Sequence, residues 1–140
     1  MRVRKWSQPE SSVIERVEPL NEPEREWVET NVAVAKQMLD GALSAGGLDN
    51  LWAALLSEEP DDPNPAINAV GLAFGQLLVD RLGLPWVALT DEHGTEIAVR
   101  GAANFTVFPT NFIAKRYAGR ETNFIASAYD EMVQTAESLR

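Results

Sequence analysis

The sequence predicts an α+β domain, with four to five helices packed on one face of a three-stranded antiparallel meander. Three observations lead there. Apolar residues recur at three-to-four spacing through residues 21–43, 48–57, 64–82 and 121–139, the period of helices with one buried stripe. The pattern turns strand-like over residues 86–90 and 95–100, joined by a polar, glycine-containing turn. The chain has 140 residues and no cysteine, so it suits one domain that closes its own core without disulfides.

The elements follow in order. Residues 1–20 form a lead-in segment, separate from a domain over 21–140; residues 11–17 either pair as a short strand or lie over the core. Asn21 is a suitable N-cap for the first long helix, Pro23 is tolerated in its first turn, and Glu24 stands three residues after the cap. Trp27, Val28, Val32, Val34, Ala35, Met38, Leu39 and Leu43 form its apolar set, and residues 45–47 end it. A shorter helix opening at Leu48 or Asp49 buries Leu51, Trp52, Leu55 and Leu56. Residues 58–65 hold three prolines and four acids and cannot continue it.

Asn64 and Pro65 read as a cap and first-turn proline for a central helix that Gly83 closes. Gly71 and Gly75 lie four apart on one of its faces, and each costs about 1 kcal/mol of helix propensity relative to alanine. A neighbour packed against bare backbone accounts for them, and the crossing of the two long helices is expected there; a ligand approaching the glycines is the functional alternative. After the hairpin, residues 105–108 supply a third strand that Pro109 ends. A short helix follows over 112–118, and residues 121–123 cap a last helix through Leu139.

Charge narrows the partners. Twelve Lys and Arg face twenty-one Asp and Glu, for a formal net charge of −9. Thirteen of the acids, against six bases, fall in residues 1–63. Such a chain repels phosphate backbones and anionic membranes, so neither nucleic acid nor membrane is an expected partner. The acidic half suits either a solvated surface or a face that steers a basic protein. No run approaches the ~20 apolar residues needed to span a bilayer, and no apolar stretch follows the basic residues after Met1. A cytoplasmic location is expected.

Chemistry is sparse. Without cysteine there is no thiol nucleophile or iron–sulfur ligand set, and His93 is the one histidine. Asp91, Glu92, His93 and Glu96 could in principle hold a metal or shuttle a proton, but neighbouring turn and strand residues diverge, and a polar turn explains the same residues. Lys115, Arg116 and Arg120 form a basic cluster, read either as helix C-terminal cations in ion pairs or as an anion site. Trp27, Trp52 and Trp86 are expected in the core, while an exposed Trp6 would be suspected at an interface. Phosphate-binding glycine loops and the common hydrolase motifs are absent.

The ordered series Val70-Gly71-Leu72-Ala73-Phe74-Gly75, Leu82-Gly83-Leu84-Pro85-Trp86-Val87, Asp91-Glu92-His93-Gly94-Thr95-Glu96, Val107-Phe108-Pro109 and Lys115-Arg116 resembles the bacterial domain of unknown function 3806. The likeness covers roughly residues 65–120. It implies a small bacterial α+β domain, with Trp86, Asp91, Gly94, Pro109, Lys115 and Arg116 in the family's pattern, and it implies no catalytic residue.

These features lead to an expectation of a non-enzymatic protein-interaction module without cofactor or metal, of immunity type or another partner-binding role, whose partner is a protein, a basic one where the acidic half steers it. The alternative is a small-ligand or regulatory domain with an anion at Lys115 and Arg116. Trp86 and Asp91 complete the residues expected to contact a partner or ligand.

Overall fold

A computed structural model of the chain describes residues 15–140. Ten elements follow one another: β1 (Arg16–Pro19), α1 (Glu22–Met38), α2 (Ala45–Ser57), α3 (Asn64–Leu82), β2 (Trp86–Asp91), β3 (Gly94–Arg100), a 3-10 turn (Ala102–Asn104), β4 (Thr106–Val107), α4 (Pro109–Ala118) and α5 (Ile125–Ser138). The class is α+β, as expected.

The sheet has four antiparallel strands in the order β1-β2-β3-β4, not three. The added strand, β1, pairs with the outer edge of β2, Val17 opposite Leu89. All four of its residues are exposed, so it carries no in-out alternation for a sequence to reveal. The last residues of the expected lead-in therefore belong to the sheet. Residues 11–14 of the suggested strand, and Trp6, lie outside the described residues.

The helices form two layers behind the sheet. Val28 and Val32 of α1 and Leu72 of α3 pack on Ala88, Trp86 and Ile97 of one sheet face. Trp52 of α2 and Ile125, Met132 and Ala136 of α5 then pack with Val70, Phe74 and Leu78 on the far side of α3. Ten residues of α3 are buried, because it lies between sheet and outer helices. On the opposite sheet face Val87, Leu89, Ala98 and Phe108 form a separate buried cluster.

Several boundaries move for local reasons. In α1, Asn21 and Glu24 make the reciprocal capping box, each side chain accepting the other's backbone N–H at 2.8 Å. The helix stops at Met38, short of Leu43. Ser44 then caps α2, its hydroxyl accepting from Gly47 N at 3.0 Å, so Gly46 and Gly47 start a helix where termination was expected. Pro63 occupies the cap of α3 and Asn64 is its first residue, with Asp62 Oδ1 accepting from Asn64 N at 3.0 Å. Gly83 closes α3 at φ +67°, and Gly94 turns the hairpin at φ +119°. Pro109 begins α4, because a proline at the first helical position gives up no hydrogen bond.

The last helix is capped from a distance. Residues 121–123 precede it, but Asp49 of α2 does the capping: its carboxylate oxygens accept from Ile125 N at 2.7 Å and Ala126 N at 2.9 Å. The glycine pair on α3 does receive close neighbours, although not α1. A Cβ on Gly71 would lie 2.8 Å from Thr110 Cα, and one on Gly75 would lie 2.7 Å from Pro109 Cγ and overlap the Trp86 indole. The glycines seat the start of α4 and one edge of β2.

Candidate binding cleft

The residues singled out in the sequence divide into two groups. Trp86 is half-buried over Gly75, and its indole N–H donates to Gln76 Oε1 at 3.0 Å. Arg116 lies with its guanidinium 5.1 Å from the Phe112 ring centre and 5.6 Å from that of Phe124. Its Nε is buried there without a hydrogen-bond partner among the described residues, and Nη1 is 3.9 Å from Glu121. Both residues are occupied by packing. Arg120 likewise lies over the Tyr117 ring, at 5.2 Å.

Asp91 and Lys115 make a different pair, since both act on Glu96. Partial burial and the neighbouring Asp91 carboxylate push the Glu96 carboxyl above its ordinary range, and Lys115 opposes them. Asp91 also holds its own turn, Oδ1 accepting from His93 N at 2.8 Å. His93 points to solvent with Nε2 3.6 Å from Glu92. Among the described residues no group of three His, Asp or Glu side chains is placed to hold a metal ion. A hollow of about 70 Å3 beneath the hairpin, lined by Asp91, His93 and Glu96, has room for a few waters.

The larger space lies next to Glu96, on its other side. A cleft of about 480 Å3 opens between the start of α1, the start of α3, the edge of β3 and the start of α4. This is within the ~300–1,000 Å3 range of ligand pockets. Ile67, Ile97 and Ala114 supply its apolar part. Asn64 and Asn68 stand one helical turn apart on α3, and Thr110 and Asn111 come from the first turn of α4. Trp27 of α1 forms one wall and is 39% exposed, contrary to the expectation that it lies in the core. The helix turns Val28 and Val32 inward and carries Trp27 to the flank of that stripe.

The backbone of β3 contributes as well. Arg100 N donates toward β2, to Pro85 O at 3.4 Å, whereas Gly101 N donates the opposite way, to Phe105 O at 2.8 Å. The alternation of an antiparallel ladder therefore turns the backbone groups of Thr95, Ile97 and Val99 away from β2. Val99 meets Val107, but β4 ends there and the chain departs into α4. Thr95 and Ile97 are left facing the cleft.

Sequence reasoning missed this site because Asn64 read as a cap and Trp27 as core. The usable signal was the i, i+4 pair Asn64 and Asn68 on a helix with no other polar side chain before Gln76.

The family model for a domain of unknown function, DUF3806, matches residues 49–129, more than half of the chain. The chain belongs to the DUF3806 family. The match takes in most of α2, everything from α3 to α4 and part of α5, and so extends beyond the residues that carried the resemblance. No curated protein matches the chain. A crystal structure of a protein from Bacteroides thetaiotaomicron is similar at a TM-score of 0.65 and 20% identity. The similarity covers 88% of this chain and 48% of that one, so this DUF3806 chain spans about half the length of that protein. At this identity the likeness concerns the fold. No helix among the described residues is long and apolar enough to cross a membrane.

Proposed function

We propose that this DUF3806 domain is a non-enzymatic binding module that engages a protein partner at the cleft between α1, α3, β3 and α4. The observation that carries this reading is the exposed indole of Trp27 beside carboxamides that the fold does not use. Large aromatics are buried by preference, and exposed ones concentrate at contact surfaces. Trp27 also begins an exposed apolar line along α1, continued one face down by Val34 and Met38, which are 37% and 52% exposed. Glu24, one turn before Trp27, lines the same cleft, which suits a basic partner.

The alternative, a small ligand held by an anion site at Lys115 and Arg116, has less support. Arg116 lies half-buried against the Phe112 and Phe124 rings and near Glu121, which leaves Lys115 as the more exposed cation of that pair.

The test is site-specific photocrosslinking in the native host from position 68, in the cleft, and position 134, on the exposed side of α5. The reading expects a protein adduct from position 68 that is missing from position 134 and is lost in a Trp27→Ala background. Identical adducts from both positions, or adducts indifferent to Trp27, would refute it.

A further inference from the structure

We infer that the partner enters this cleft as an extended peptide segment, added as a strand to the outer edge of β3. The inference rests on the binding-module reading and specifies its chemistry. Three observations carry it.

The first is the edge itself. β3 runs for seven residues, and β4 pairs with its last two, Val99 and Arg100. Beyond that point Thr95 and Ile97 direct an N–H and a C=O each into the cleft, two residues apart, the repeat a neighbouring strand requires. Among the described residues these four backbone groups have no hydrogen-bond partner outside the sheet's own ladder. A free edge of this kind is a template for another chain.

The second is the opposite wall. The side chains of Asn64, Asn68, Thr110 and Asn111 hydrogen-bond no protein group among the described residues. Each carboxamide offers two donors and an acceptor oxygen with two lone pairs. An extended peptide presents N–H and C=O on both of its edges, so the edge turned away from β3 needs partners of mixed character. Carboxamides supply both kinds at neutral charge, where a wall of lysines or glutamates would satisfy one kind alone.

The third is the apolar relief between the walls. Alternate side chains of an added strand point to opposite sides, and Ile67, Ile97 and the Trp27 indole give one set an apolar seat. Glu24 and Glu96 are the two acids of the lining, so the cleft carries negative charge and suits a segment with basic side chains beside its apolar ones.

The experiment uses the whole chain and heptapeptides selected on it from a phage-displayed random library. Amide hydrogen exchange of the protein is followed by NMR with a selected peptide, and the peptide is scanned by backbone N-methylation. The expected result is exchange at the Thr95 and Ile97 amides slowed at least about tenfold, with losses of about tenfold at alternate methylated positions. Thr95→Pro removes one outward donor without touching the β2–β3 ladder, because proline is tolerated where the N–H points off the edge. It should keep the far-UV circular dichroism of the parent and bind about tenfold more weakly, while Thr95→Ala keeps affinity. Peptides weakened by Asn68→Ala or Asn111→Ala but giving no protection at Thr95 and Ile97 overturn strand addition and leave the binding module standing. Selected peptides indifferent to both asparagines place the binding elsewhere and overturn the inference, while the crosslinks from position 68 judge the broader reading separately. Selection of no peptide, with a saccharide array giving cleft-dependent binding instead, overturns it as well.

Discussion

The carboxylate of Asp49 on α2 accepts two hydrogen bonds from the first backbone N–H groups of α5, at Ile125 and Ala126, more than seventy residues downstream. The residue is 7% exposed, and these bonds satisfy two of the donors that every helix leaves free at its start. Removing the carboxylate strands buried donors and takes a negative charge from the positive end of the helix. Asp49→Ala should therefore cost about 2–3 kcal/mol in urea unfolding, and Asp49→Asn, which keeps one acceptor oxygen, about half of that. Equal stability of the parent and Asp49→Ala would show that α5 is not held in this way.

The glycine pair on α3 yields a prediction of opposite sign to helix propensity. Alanine in a helix interior normally stabilises by about 1 kcal/mol over glycine. At Gly71 the new methyl meets backbone, at Thr110 and Pro109, and at Gly75 it meets the Pro109 ring and the Trp86 indole. Gly71→Ala and Gly75→Ala should each destabilise, by about 1–3 kcal/mol, the cost of overpacking a filled core. A higher melting temperature in either variant would place the start of α4 away from α3.

The tryptophans should separate by environment. Trp52 is 1% exposed and donates from its indole to Glu121 O at 2.9 Å, so Trp52→Ala should cost about 3–5 kcal/mol. Trp27→Ala removes a wall of the cleft and should cost well under half as much. Denaturation curves of the two variants decide the point, and similar losses would return Trp27 to the core.

Glu96 supplies a pH test. Its folded carboxyl titrates above the unfolded value of 4.5, raised chiefly by burial and then by Asp91. Between the unfolded and folded values the native state binds more protons than the unfolded chain, so stability falls as pH rises through that window. Glu96→Gln should leave stability unchanged at pH 3 and raise it slightly at pH 7, as read by thermal melts. A gain that is the same at both pH values would mean that ionisation is not its source.

What the sequence disclosed follows the range of the interactions concerned. The Asn21 capping box, the Gly83 stop and the Gly94 turn act over three or four residues and are written locally, so each was legible. The β1 strand was legible only as one alternative for residues 11–17, with its bounds shifted, because four exposed residues pair with a strand seventy positions away. The same holds for Asp49, whose role as a cap depends on which helix end the fold brings to it. The helical period located the α1 stripe, but Trp27 lies at its margin, where periodicity does not separate a core residue from an exposed flank. The cleft was hidden for a related reason: its asparagines come from the first turns of two helices, where asparagine reads equally as a cap.

The contact of Gly71 and Gly75 with the start of α4 also sets how rigid the cleft is. At Gly71 main chain rests on main chain, with no long side chain between to give way, so the separation between α3 and α4, two walls of the cleft, is fixed in advance. An occupant meets a preformed mould. The ordering cost of association then falls on the incoming segment, and stiffening that segment is the direct route to tighter complexes.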